Sequence, residues 1–83
     1  MNYTLSRHAC DEMVRRGISA SVVDAIMQAP QQIVVQSPKK QVYQSKIAFG
    51  NVMFLVRVVI AFDVDPPLVV TVYRTTKIDR YWV

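Results

Sequence analysis

Glycine is scarce in this sequence, two in 83 residues, and cysteine and histidine occur once each. Each shortage excludes something. With so few glycines there is no Gly-rich loop to cradle a nucleotide's phosphates and no nucleophile elbow, so ATP- or NAD-dependent chemistry is not expected. The lone Cys10 leaves no internal disulfide and reads as a reducing compartment. His8, Cys10 and the carboxylates Asp11, Glu12, Asp24, Asp63, Asp65 and Asp79 show none of the usual metal-ligand spacings. No metal and no cofactor are expected. The apolar runs "VMFLV" and "VVIAF" are split by Arg57 and too short to cross a bilayer. The opening "MNYTLSRHACDE" lacks the apolar segment of a signal peptide. The expectation is a single cytoplasmic domain over residues 1–83, without a membrane partner.

What the chain does have is hydrophobic mass and positive charge. Hydrophobic residues make up 52% of it, which a domain this small needs, because it buries only about 60–65% of its unfolded surface. Disorder is excluded on the same ground. Ten Lys and Arg against six Asp and Glu leave a formal +4. That surplus suits a phosphate-rich or acidic partner.

The first part of the chain reads as helical. "TLSRHACDEMVRRG" has Ser6 as N-cap and Gly17 as a left-handed stop, with Ala9, Cys10, Met13 and Val14 forming an apolar stripe and His8, Glu12 and Arg15 opposite. "ISASVVDAIMQAP" is capped by Ser19 and stopped by Pro30. The short link between them implies a helical hairpin. Strand signals follow at "QIVVQ" (32–36), "VYQSKIAF" (42–49), "VMFLVRVVIAF" (52–62) and "LVVTVYRT" (68–75). The expected architecture is α+β: the helical hairpin packed on one face of an antiparallel sheet of about four strands.

Gly50-Asn51 marks a two-residue hairpin, which sets Phe49 opposite Val52 and Gln44 opposite Arg57. One face then carries Tyr43, Ile47, Phe49, Val52, Phe54, Val56, Val58 and Ile60, and must be the core. If Phe62 faces Leu68, Tyr73 lies across from Arg57, while Leu68, Val70 and Val72 turn coreward, unless the five-residue loop introduces a bulge. The second face has no helix left to cover it. Gln44, Lys46, Arg57, Tyr73, Thr75 and Lys77 gather there, and Arg74, Arg80, Tyr81 and Trp82 are close by in sequence.

Arg57 stands out because an arginine inside a hydrophobic run costs stability unless something anionic or polar meets it. Either a carboxylate of the chain pairs with it, or its head reaches water over Leu55, or it is a site residue. In the last case the residues suit metal-free cleavage of RNA, in which the substrate's own 2′-hydroxyl attacks the adjacent phosphorus. That reaction needs a base, an acid and cations for a dianionic transition state. Arg57 can grip phosphate oxygens bidentately, with Lys77 adding charge and Tyr73 or Trp82 stacking a base. His8 is either the base or acid, in a helix's first turn where free N–H groups attract phosphate, or a surface histidine without a task. Arg15 and Arg16 are either a phosphate-tracking ridge or a solvated helix end. Tyr81 and Trp82 are either part of the site or a docked terminus.

Two stretches, "LSRHACDEMVRRGIS" and "VTVYRTTKIDRYW", resemble a family of small bacterial proteins known as domain-of-unknown-function family 4258. That family looks like a branch of the ribonuclease-toxin group with RelE-like, barnase-like and colicin-type nucleases. The resemblance implies a RelE-like fold, no cofactor, and a site drawn from His8, Arg16, Arg57, Thr75, Lys77 and Tyr81. The catalytic set expected is therefore His8, Arg57, Thr75, Lys77 and Tyr81, with Arg16, Gln44, Lys46, Tyr73 and Arg74 binding substrate. The function expected is a cofactor-free endoribonuclease, the toxin of a toxin–antitoxin pair, acting on free or ribosome-associated RNA and leaving a 2′,3′-cyclic phosphate. Its partners would be RNA and a cognate antitoxin. The rival readings are a non-catalytic basic module that holds nucleic acid or an acidic protein, and an oligomerising domain that buries its open face against a second copy.

Overall fold

The computed structural model describes residues 2–83. Its elements run β1 (Thr4–Leu5), α1 (Arg7–Arg16), α2 (Ala20–Gln28), β2 (Gln32–Ser37), β3 (Lys40–Phe49), β4 (Val52–Ala61), β5 (Leu68–Thr75) and α3 (Ile78–Tyr81). The architecture is α+β, with a five-stranded sheet in the order β1-β5-β4-β3-β2. It departs from the expected four antiparallel strands behind a leading helical hairpin. A short strand precedes the helices, with Thr4 and Leu5 pairing parallel to Leu68 and Val69 of β5, and a third helix follows the sheet. A two-residue strand has no periodicity to read, so only its tertiary pairing reveals it.

The helix ends form as their residues require. Ser6 Oγ accepts from Ala9 N at 3.0 Å and donates to the Val70 carbonyl at 2.8 Å, so one hydroxyl caps α1 and ties it to β5. Gly17, at φ 63, closes α1 in the left-handed region. Its N–H reaches the Val14 carbonyl and that of Ile18 reaches Met13, the paired bonds of a Schellman stop. Ser19 Oγ caps α2 by accepting from Val22 N.

α1 lies over β5, and α2 over β3 and β4. Between them and the sheet sits the core: Ala9, Met13, Ile18, Val23, Ile26 and Met27 against Tyr43, Val56, Val58, Ile60, Val69 and Val72. The stripe of α1 differs from the one expected. Val14 is 84% exposed and Cys10 is exposed; the half-buried flank belongs to Glu12 and Arg16 instead. Arg16 lies half-buried there, as a long cationic side chain can when its stem lies along neighbours and its head stays polar.

The hairpin register holds as read, with Phe49 opposite Val52, Gln44 opposite Arg57, and Arg57 opposite Tyr73. A shift between Val59 and Ile60 leaves Val70 as an extra residue, since Val59 faces Thr71 and Ile60 faces Val69. Val69 is therefore the core residue in place of Leu68 and Val70, which are only partly buried. The turn from β2 to β3 is tight: Ser37 Oγ accepts from the N–H groups of Lys39 and Lys40, and β3 starts at Lys40.

Candidate functional site

Across four strands, one row of cross-strand neighbours reads Gln32, Gln44, Arg57, Tyr73. All four point away from α1 and α2, because alternation along β4 puts Val56 and Val58 in the core. Arg57 holds the centre and is 6% exposed. Its Nε donates to Gln44 Oε1 at 2.9 Å and its Nη1 to the Tyr73 hydroxyl at 2.6 Å. No carboxylate neutralises it: the ion pairs among the described residues are those of Arg15 and Arg16 with Glu12. The guanidinium meets neutral oxygens and aromatic rings only.

The second face is not open, and this corrects the expectation from the sequence. After Thr75 the chain turns back across it. Tyr81 places its ring 4.2 Å from the Arg57 guanidinium carbon, and Trp82 lies 4.1 Å from Lys46 Nζ. Gln44 Nε2 donates to the Tyr81 carbonyl at 3.1 Å and to Gln32 Oε1 at 2.8 Å. Gln32 in turn grips Val83 twice, accepting from its N–H and donating to its main-chain oxygen. The polarity of this chain is set at Arg57. Because Gln44 must turn its oxygen to the guanidinium, its amide N–H groups point outward to Gln32 and Tyr81, and both ends of a fully buried glutamine are satisfied.

Arg16 enters from α1. Its guanidinium carbon is 5.9 Å from the Tyr73 ring centre, while that of Arg57 is 5.8 Å away, so two cations attend one tyrosine. Arg16 Nε is sealed from solvent without a hydrogen-bond acceptor, and its nearest carboxylate oxygen, on Glu12, is 3.5 Å away. Glu12 is already held by Arg15 at 2.6 and 2.9 Å. The Arg15 hydrogen bond, aided by the charges of Arg15, Arg16 and His8 and opposed by partial burial, draws the Glu12 carboxyl down from 4.5 to about 2. One carboxylate is thus divided between two arginines, and Arg16 is under-neutralised.

The structure brings together Arg16, Gln44, Arg57, Tyr73 and Tyr81 of the expected site, with Lys46 at its rim. It does not bring in the others. Arg74 projects to the opposite face, its guanidinium 4.2 Å from the Phe49 ring and 4.5 Å from that of Phe54. Neighbours on a strand point to opposite sides, so Arg74 and Tyr73 are separated by the sheet. Thr75 ends β5, and its Oγ1 is taken up in accepting from the Lys77 N–H; Lys77 is exposed. His8 is exposed on the Glu12 side of α1 and touches none of the cluster. Gln32 escaped the sequence reading. Its signal was the β2–β3 register, which sets it beside Gln44.

Chemically, the cluster offers two guanidinium groups, a phenol whose oxygen accepts from Arg57 and whose proton is therefore directed elsewhere, and aromatic rings stacked on cations. Those are donors for an anion and platforms for planar groups. Among the described residues no three His, Cys, Asp or Glu side chains gather to hold a metal ion. No helix among them is long and apolar enough to cross a membrane. No curated protein and no solved structure matches the chain. One family pattern does match, over residues 5–74, and that stretch holds Arg16, Gln44, Arg57 and Tyr73 while stopping short of the segment that covers them. On that match the chain belongs to the family described as Domain of unknown function (DUF4258).

Proposed function

We propose that this protein is a metal-independent endoribonuclease, the toxin partner of a toxin–antitoxin pair. One observation carries the reading: Arg57 is a buried cation with no carboxylate of its own, in a chain of net charge +4. A guanidinium kept in such a place is costly unless an anion is its working partner. RNA supplies that anion at every phosphodiester.

In the reaction the 2′-oxygen forms a bond to phosphorus as the bond to the 5′-oxygen breaks. The 2′-hydroxyl proton passes to a base, the leaving 5′-oxygen takes a proton from solvent water, and a 2′,3′-cyclic phosphate remains. Arg57 and Arg16 hold the non-bridging oxygens from the two sides of Tyr73 and stabilise their added charge in the transition state. The Tyr73 phenol donates its free proton to the same group. His8 serves as the base, reaching the substrate from the flank of α1.

A second reading, a basic module that binds RNA without turnover, is favoured by the separation of His8 from the cluster. It gives salt-sensitive affinity and no product. Incubating RNA with the protein in EDTA tests the choice. Cleavage to cyclic-phosphate ends is expected from the wild type, with loss in both His8→Ala and Arg57→Ala. Salt-sensitive binding without cleavage would establish the second reading. Cleavage that survives both substitutions would remove these residues from the mechanism.

A further inference from the structure

The segment that covers Arg57 has the composition of a ligand. Tyr81 and Trp82 are consecutive aromatic residues, each stacked on a separate cation, Arg57 and Lys46. Beside them the Gln32 amide makes a paired donor-and-acceptor contact with Val83. Two successive rings on two cations, with an amide reading a neighbouring donor–acceptor edge, are what single-stranded RNA presents when its bases are unstacked onto a protein. Resting on the RNA reading above, we infer that residues 78–83 are a displaceable self-ligand: a strap that fills the subsites for two adjacent nucleobases and withholds Arg57 until RNA takes their place.

The strap is built to leave. α3 is four residues long, buries none of them, and its N-cap residue Lys77 makes no side-chain capping bond. A helix that short has no stability of its own. The Gln32 and Gln44 amides, two ring–cation contacts and the edge-on packing of Tyr81 against the Tyr73 ring, 6.4 Å between centres, fasten the segment across the row. Such contacts belong to the low-stability end of a fold, which opens without global unfolding. The surface beneath does not depend on it: the Arg57–Gln44 and Arg57–Tyr73 bonds join sheet residues to one another. The family match ends at Arg74, before the strap begins.

The test uses Trp82, the chain's one tryptophan, and a single-stranded tetranucleotide with 2′-O-methyl riboses, which lacks the attacking hydroxyl. Saturating the full chain is expected to shift Trp82 emission to that of an exposed indole. Tyr81→Ser, which empties the subsite over Arg57 but keeps the reporter, is expected to bind the tetranucleotide about tenfold more tightly. That is the gain when a competent state populated about one part in ten becomes the resting state. Gln32→Ala, which releases Val83 from the far end, should shift affinity in the same direction if Tyr81→Ser fails to fold. Binding with unchanged Trp82 emission, or weaker binding by the folded variants, would overturn the strap and leave the RNA reading standing. No binding by wild type or variants would remove the RNA reading and the strap together.

Discussion

The two faces of β4 are built on opposite terms. On one, Val56, Val58 and Ile60 are wholly buried against α1 and α2 in a core of apolar side chains. On the other, the intervening Arg57 is nearly as buried, yet it lies against a short strap, one glutamine and a tyrosine. The first face needs nothing beyond shape and apolar area. The second keeps a cation that its own chain never neutralises. The lesson is that burial and neutralisation are different properties: the core face buries only apolar groups, whereas the Arg57 face buries a charge that no carboxylate of the described residues meets.

Damage to the core face should break the comparison most strongly. Ile60→Ala removes buried methyl groups from a packed site and should cost about 2–5 kcal/mol in urea unfolding. Activity per folded molecule should be unchanged, because Ile60 touches none of the cluster.

Arg74→Ala sharpens the contrast at a lower amplitude. Its guanidinium rests on Phe49 and Phe54 at the far side of the sheet. Losing those contacts should cost about 0.5–1 kcal/mol while RNA binding stays within about twofold of wild type, as for a position remote from the ligand. A large loss of RNA affinity would place substrate on the helix side of the sheet.

The smallest effect is expected from acid, at the rim where the two faces meet. The Glu12 carboxyl is lowered to about 2 by its bond to Arg15, so its contribution is complete above its ordinary 4.5 and is lost as pH falls toward 2. A Tm profile from pH 6 down to about 2 should fall less in Glu12→Gln than in the wild type. An identical decline in both would assign the acid sensitivity to other carboxylates.

Much of this contrast was legible in the sequence. The Gly50-Asn51 turn and the alternation of β4 set Gln44, Arg57 and Tyr73 in one row, because a tight hairpin fixes register locally. The same alternation carried the signal that Arg74 points the other way, which a grouping by chemical type overrode. What stayed hidden was set by distant contacts. β1 exists only through its pairing with β5. The shift at Val59/Ile60 depends on how the loop before β5 closes, and it alone decides that Val69 is core. The strap was visible as an aromatic pair, but its landing place depends on Gln32, a residue that gains meaning only beside Gln44. On α1, Val14 is exposed while Arg16 is half-buried with its guanidinium near Tyr73, a placement set by the distant strand β5.

The stability of Arg57→Met decides whether the guanidinium holds the sheet together or is a buried charge the fold could do without. Urea unfolding should give a folded protein within about 1 kcal/mol of wild type, since relief of the buried, unneutralised charge offsets the bonds lost at Gln44 and Tyr73. A loss of about 3 kcal/mol or more would contradict the account, for the guanidinium would then be holding the sheet together rather than standing ready for an anion.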